Sequence, residues 1–581
     1  MTPETPWYGK YGEVPSNLEY PDMTMYECLM RSASDGPETV ACEFMGRKMR
    51  YSDLIVEVDA MAAALHGLGI RKGDKVLVCL PNSPQALISI YGINRLGAVA
   101  TMIHPLSARE EIKFYIENSG SKAAIVLDLF YPNFPAVDGS GTLKNIIVTS
   151  IKDGLGAGKA LLYQIVQGRK DPKPKFDGKV IRWNDVIGIG RRSEPPPIFS
   201  AKEDLACILY SGGTTGRSKG VLLSNMNINA AAVQTMTMSE SGEVGDTMLA
   251  IMPVFHGFGL CICVHMVLYM GRTCILIPKF EPKSYANIVV KNKPNFIVGV
   301  PSLFELMLRN KRIGDADLSH LKGVFCGGDT LTADLKKRVD AFLKEHRCRT
   351  TVREGYGATE CVAASCLAPK SEEKQREGSI GIPFPDTLYK IVRVGTIEAA
   401  DYGEDGEICI SGPSVMMGYV NEPEETAEAL KVHGDGIRWL HTGDIGCMDR
   451  DGYVYFKHRI KRMIISSGYN IYPNQIENVI NSVPFVRSCY AIGIPHPIYS
   501  QVVKVFVVLE DGTSPTSETK ERIMEVCRDK VFRYALPRQI EFLNELPIAK
   551  LGKIYHAELE KLCPEIGELH DPFSPGPAQN V

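Results

Sequence analysis

Val76-Leu-Val-Cys-Leu80, Ala98-Val-Ala-Thr-Met102 and Ala123-Ala-Ile-Val-Leu127 are short apolar runs separated by amphipathic helical patterns. Runs of this length without polar alternation read as strands buried on both faces, and a strand–helix–strand rhythm predicts parallel sheet. The rhythm continues through residues 273–278, 296–300 and 323–326. The expected fold class is α/β, with mixed or parallel sheets in a large N-terminal domain of several subdomains. From Lys390 short strands and Gly/Asp turns take over, as in Tyr402-Gly-Glu-Asp-Gly406 and Asp449-Arg-Asp-Gly452, which predicts a β-rich subdomain. A compact α+β unit is expected after Lys461, with helices over 474–482 and 517–531 and strands over 489–494 and 502–509.

At 581 residues the chain is too long for one hydrophobic core. A net charge of −3 gives no reason to expect a nucleic-acid partner. The sixteen cysteines often sit in apolar contexts (Cys207, Cys261, Cys263, Cys326), with no paired Cys-x-x-Cys and no His-x-x-x-His. That pattern fits reduced thiols in a cytoplasmic protein and gives no reason to expect a structural metal. Met1-Thr-Pro-Glu-Thr-Pro-Trp7 lacks the order of a signal peptide. Residues 248–270 are almost wholly apolar, yet Pro253, His256, Gly257 and Gly259 interrupt their first half. A buried strand, a functional loop and a buried helix are expected there rather than a membrane span.

The run Leu209-Tyr-Ser-Gly-Gly-Thr-Thr-Gly-Arg-Ser-Lys-Gly-Val-Leu-Leu223 concentrates the chemistry. Gly212, Gly213 and Gly216 would let backbone N–H groups approach an anion, Ser211, Thr214 and Thr215 add hydroxyls, and Lys219 adds charge. It reads as a polyphosphate cradle, or more plainly as a flexible surface loop. It is not the common Gly-x-x-x-x-Gly-Lys-Ser/Thr loop, because Gly220 follows the lysine.

Further motifs follow in order: Phe325-Cys-Gly-Gly-Asp-Thr330, Glu354-Gly-Tyr-Gly-Ala-Thr-Glu360, Gly406-Glu-Ile-Cys-Ile-Ser-Gly-Pro413 and Trp439-Leu-His-Thr-Gly-Asp444. His458-Arg-Ile-Lys-Arg462, Ser467-Gly-Tyr-Asn-Ile-Tyr-Pro473 and Leu546-Pro-Ile-Ala-Lys-Leu-Gly-Lys553 complete the set. With the glycine-rich run, this series resembles the adenylate-forming superfamily of acyl-CoA synthetases, peptide-synthetase adenylation domains and luciferases. The resemblance covers nearly the whole chain.

It implies a two-step reaction using ATP, Mg²⁺ and CoA: a carboxylate attacks the α-phosphate of ATP, then a thiol attacks the acyl-adenylate. Such a first step needs charge neutralisation and positioning. By resemblance the run from Ser211 to Lys219, Thr214 included, holds the β- and γ-phosphates, and Tyr356 stacks on adenine beside Gly327, Gly328 and Asp329. Glu354, Gly355 and Gly357 frame that tyrosine, Thr359 touches the α-phosphate and Glu360 holds Mg²⁺. Asp444 accepts the ribose hydroxyls, with Arg459 as a second contact. Lys553 is the adenylation lysine, although Leu551 replaces the usual serine of its frame. Lys461 would be the hinge between an N-terminal domain 1–460 and a mobile C-terminal domain 461–581. Ser467, Gly468 and Tyr469 would line a pantetheine tunnel.

Met252-Pro-Val-Phe-His-Gly-Phe-Gly259 resembles the histidine segment beside the acyl pocket, which places His256 near the carboxylate. A core histidine is the plainer alternative. The apolar neighbourhood, together with the form of the motifs, is most like medium- and long-chain fatty acyl-CoA ligases. An aryl or alicyclic acid, or an acyl carrier protein as thiol, would suit the same adenylation residues. Residues 152–199 form a basic insert that is either a solvated loop with a small docked helix or a contact for the inner face of an anionic membrane.

Overall fold

The expected apolar runs become the centre of an eight-stranded sheet. Its order is Gly418–Tyr419, Lys219–Ser224, Leu205–Ser211, Val99–Met102, Lys75–Cys79, Ala123–Leu127, Asn145–Thr149, Val180–Arg182. Six strands are parallel, and Lys219–Ser224 turns back antiparallel on Leu205–Ser211 to bring the two ends of the glycine-rich run together. This computed structural model describes residues 4–563 except 138–140, 167–170, 195, 198–199, 212–217, 241, 280–283, 461–463, 467–468, 472, 497–498, 532–534, 548–553 and 555.

A nine-stranded sheet uses the remaining expected runs. Val352–Tyr356, Gly323–Cys326, Phe296–Gly299, Thr247–Ala250, Thr273–Leu276 and Val40–Phe44 are successive parallel neighbours, and short antiparallel strands finish both edges. Helices begin where capping side chains permit. Ser224 Oγ accepts from Asn227 N at 3.1 Å while Asn227 Oδ1 accepts from Ser224 N at 2.9 Å, which starts Asn225–Ser239 directly after the hairpin.

The 248–270 segment forms the strand Thr247–Ala250, a loop, a π-helical stretch Phe258–His265 and the helix Met266–Tyr269. Among the described residues no helix is long and apolar enough to cross a membrane. His265 is fully enclosed: Tyr91 Oη lies 2.9 Å from its Nδ1 and Asn229 Oδ1 2.8 Å from its Nε2. Burial holds its pKa down at about 3, so it is a neutral packing residue.

The expected insert needs one correction. Val180–Arg182 is an edge strand of the first sheet, and Trp183–Gly190 packs so closely that a Cβ on Gly190 would stand 1.8 Å from Ala60 O. Val180–Gly190, within residues 152–199, therefore belongs to the fold. The helix Ala157–Val166 of the same insert buries none of its side chains.

The chain divides into two compact units: Met1–Lys390 with Cys409–Thr442 and Met448–Tyr455, and Ile391–Ile408 with Gly443–Cys447 and Phe456–Val581. In the second, Val486–His496 and Ser500–Leu509 pair antiparallel, Gln539–Phe542 adds in parallel, and Pro473–Asn481 and Ser517–Lys530 are helices. Ile476, Ile480, Val505 and Ile523 share its core.

Candidate active site

The glycine-rich run is anchored by a strand pair in which Ser211 stands opposite Lys219 and Ser211 Oγ donates to Lys219 O at 3.4 Å. Gly212, Gly213, Thr214, Thr215 and Gly216 lie outside the described residues. Lys219 points into a relay of side chains. Its ammonium is ion-paired with Glu425 and stands 5.1 Å from the centroid of the Tyr419 ring. Tyr419 Oη in turn donates to Glu360 Oε1 at 2.9 Å. Burial and then the charge of Glu360 raise the phenol's pKa, so it remains a donor at neutral pH. Tyr419 reaches this place because the two-residue strand Gly418–Tyr419 pairs with Leu222 and Val221. The relay links a cation beside the run to the carboxylate expected to take a metal.

The second cluster sits at the C-terminal ends of parallel strands, the usual ligand position in α/β sheets. Gly323–Cys326 and Val352–Tyr356 are adjacent, so the turns that follow them touch. Gly327 N donates to Gly299 O at 3.1 Å, and a Cβ on Gly327 would lie 3.0 Å from Gly355 O. Gly328 has φ +82°, and Asp329 beside it is exposed. Tyr356 and Thr359 are half-buried, and Tyr356 O accepts from Ser365 N at 2.9 Å. A Cβ on Gly357 would fall 1.6 Å from Ala363 O, so hydrogen alone fits there.

Behind Glu360 the backbone is strained. Val362 adopts φ 66° and ψ −61°, and Ala363 N donates to Cys361 O at 2.7 Å across it. This γ-turn is rare for any residue and more so for a β-branched one, and costs about 1–3 kcal/mol. Gly257 presses on it: a Cβ there would stand 1.5 Å from Val362 O. The adjacent His256 accepts from Phe258 N through Nδ1 at 3.2 Å. A backbone N–H can only donate, so the neutral imidazole carries its proton on Nε2.

Glu354 differs from its neighbours. It is buried, its Oε1 accepts from Leu331 N at 3.2 Å, and burial raises its pKa to about 8. Its side chain thus supports the turn after Gly328 from below. Because the folded pKa exceeds the ordinary carboxylate value, this group's contribution to stability is complete in acid and is lost as pH rises toward about 8. Glu354→Gln should flatten that loss. Thermal unfolding from weakly acid to weakly alkaline pH should show the wild-type midpoint falling relative to the variant. Parallel curves would assign the slope to other groups.

In the second unit, Asp444 is buried on the strand Arg438–Met448, with Arg459 Nε 3.1 Å from its Oδ1. Gly443, at φ +71°, donates its N–H to Glu407 Oε1 at 2.9 Å, which fixes the Thr442–Gly443 peptide. Tyr469 begins the strand Tyr469–Ile471, opposite Ser466. Lys461, Ser467, Gly468 and Lys553 lie outside the described residues. Tyr419, Glu425 and Glu407 were missed in the sequence. The Gly418-Tyr419 dipeptide soon after Gly406–Pro413 was the available signal for the first.

The model of the AMP-binding enzyme family matches residues 29–420, and that of the AMP-binding enzyme C-terminal domain matches 475–553. A long-chain-fatty-acid–CoA ligase of Bacillus subtilis (strain 168) is 33% identical over 565 residues, covering 96% of this chain and 98% of its own. The chain belongs to the AMP-binding enzyme family. A fatty acyl CoA synthetase of Mycobacterium tuberculosis shares the family's fold at TM-score 0.66 and 26% identity, covering 93% of this chain and 98% of that one. ATP-bound MatB of Rhodopseudomonas palustris gives TM-score 0.79 at 22% identity, covering 93% and 99%. The α/β architecture and the adenylate-forming reading of the motifs are thus those of the AMP-binding family.

Proposed function

We propose that this AMP-binding enzyme is a fatty acyl-CoA ligase acting on medium- or long-chain acids. ATP and the carboxylate give an acyl-adenylate and pyrophosphate; CoA then displaces AMP to give the thioester. The observation that carries the reading is the Lys219–Tyr419–Glu360 relay, which sets a cation and a carboxylate beside the ends of the glycine-rich run. Lys219 leaves Glu425 to meet the terminal phosphates, and Tyr419 holds Glu360 in place. Glu360 offers hard oxygen donors of the kind Mg²⁺ prefers, and the ion would neutralise phosphate charge.

Thr359 contacts the α-phosphate, Tyr356 stacks on the base over Gly327 and Gly328, and Asp444 with Arg459 takes the ribose. His256 presents its Nε2 proton toward the acyl carboxylate. The C-terminal part, 461–581, turns at Lys461 to exchange Lys553 for the Ser467–Tyr469 segment in the thioester step.

Pyrophosphate release with ATP, Mg²⁺ and a panel of acids, with and without CoA, tests this. CoA-dependent turnover with fatty acids, yielding AMP and acyl-CoA, is the expected result. Release that stalls near one equivalent despite CoA would point to an acyl carrier protein. Turnover confined to aryl or alicyclic acids would overturn the substrate class.

We also infer that the helix Ala157–Val166 meets an anionic membrane from which the acid is drawn. Leu161, Leu162, Ile165 and Val166 are 65%, 60%, 55% and 63% exposed, and the nearby Lys173 and Lys175 are exposed as well. Exposed apolar side chains followed along the chain by exposed lysines suit an interface of acyl chains and acidic headgroups. A Leu161→Asp, Leu162→Asp double variant should cosediment several-fold less with phosphatidylglycerol-rich vesicles while turning over a soluble short-chain acid normally. Undiminished cosedimentation would exclude this helix as the contact.

A further inference from the structure

Three side chains outside the residues assigned to the reaction converge in the β-rich part of the first unit. Cys409 lies on the strand Gly406–Ser411, His433 just beyond Leu430–Val432, and His441 on Arg438–Met448. One donor atom of each lies within 4.8 Å of the other two, and His433 Nε2 is 2.9 Å from His441 Nε2. Fourteen of the sixteen cysteines are buried, so burial of Cys409 alone means little. Its convergence with two imidazoles is the informative fact. Among the described residues no other group of three such ligands is this close.

We propose that Cys409, His433 and His441 bind a zinc ion. Zinc takes thiolate at about 2.3 Å and imidazole at about 2.0–2.1 Å, so tetrahedral N···N and N···S edges are about 3.3 and 3.6 Å. The donors here span 2.9 to at most 4.8 Å, and small side-chain rotations therefore enclose the ion. A soft thiolate with two imidazoles favours zinc and rejects Mg²⁺. Binding replaces the proton shared between the imidazoles and releases the thiol proton of Cys409. His441 is only half-buried, so water can complete the fourth position.

The surroundings already orient one ligand. His433 stacks on Trp439 with ring centroids 5.7 Å apart, and Trp439 Nε1 donates to Asp435 at 3.2 Å. Lys390 is ion-paired with Asp435 and stands 3.5 Å from His433 Nδ1. Ligation through Nε2 puts the proton on Nδ1, so the Lys390 ammonium that stands 3.5 Å from Nδ1 must turn away toward its ion pair with Asp435.

The hairpin explains why the sequence concealed the site. Leu430–Val432 pairs antiparallel with residues 438–440, which sets His433 level with Ile437 and His441 four residues further along the return strand. The two imidazoles, eight positions apart in sequence, thus meet at 2.9 Å through side-chain reach alone. Short-range ligand motifs do not contain that spacing.

The test is one equivalent of Co²⁺ added to the reduced, full-length, metal-free protein. A thiolate-to-cobalt charge-transfer band with tetrahedral visible bands is expected, displaced by Zn²⁺ and unaffected by excess Mg²⁺. Cys409→Ser should abolish the charge-transfer band, and His441→Gln should weaken zinc affinity by about tenfold or more against a chromophoric chelator. Metal-free thermal unfolding checks each variant. If Cys409→Ser does not fold, His441→Gln at the half-buried edge decides the matter. Absence of the charge-transfer band in the wild type, or undiminished zinc affinity in a folded His441→Gln, overturns the proposal.

Discussion

Lys553→Ala is expected to slow acyl-adenylate formation by on the order of 10²-fold or more, while CoA still captures a supplied acyl-adenylate at nearly the wild-type rate. The first step places negative charge on oxygens between the carboxylate and the α-phosphate, where a positioned ammonium acts most strongly. The second needs a thiol and an open path, and in the hinge reading Lys553 has by then withdrawn. Pyrophosphate release without CoA reports the first step; thioester formation from synthetic acyl-adenylate reports the second. If both fall together, the lysine does not act in one step alone and the hinge assignment fails. Lys550→Ala, three positions earlier in the same Leu546–Lys553 frame, should remain close to wild type.

Gly257→Ala should be comparably severe for a different reason. Its φ of −54° suits any residue, so only space demands glycine. The added methyl would lie 1.5 Å from Val362 O, and a backbone oxygen cannot rotate away as a side chain can. Either the γ-turn behind Glu360 opens or the loop carrying His256 retreats. Overpacking of this kind costs about 1–3 kcal/mol or more. A displacement near 1 Å beside the groups proposed to act in the reaction would lower turnover by about 10²-fold. Gly67→Ala is the internal control: nothing lies within 4 Å of its Cβ position at the end of the helix Tyr51–Gly67, so stability should hold or rise slightly. Thermal midpoints and kcat/KM for both variants check this, and a Gly257→Ala enzyme of wild-type stability and rate would refute the packing argument.

Parallel strands were the most legible part of the fold. Burial on both faces turns Ala123–Leu127 into five consecutive apolar residues, which no exposed element tolerates. Val180–Arg182 escaped notice because a three-residue edge strand ending in arginine looks like any basic loop. The π-helical geometry of Phe258–His265 leaves no periodic signature in eight nearly uniform apolar residues. In the site, the sequence singles out glycines expected to bring backbone close to a ligand. Gly257 and Gly357 turn out to be needed because the chain passes close to itself. Tyr419 was hidden by distance: it meets Val221 across 198 positions, beyond the reach of any local pattern. Glu354 shows the opposite limit: a motif residue named for a binding role has its side chain buried and accepting from Leu331 N.

The strand Gly418–Tyr419 also sets an order on biosynthesis. It closes the edge of the first sheet beside Lys219–Ser224, yet it leaves the ribosome long after its partner. At about 5–20 residues per second, roughly 10–40 s separate the synthesis of residue 224 from that of residue 420. During that interval the hairpin edge is uncapped, and Lys219 has neither Tyr419 nor Glu425 beside it. A nascent chain can thus complete the parallel core of this sheet while still lacking the aromatic bridge to Glu360, which forms only once most of the chain has been made.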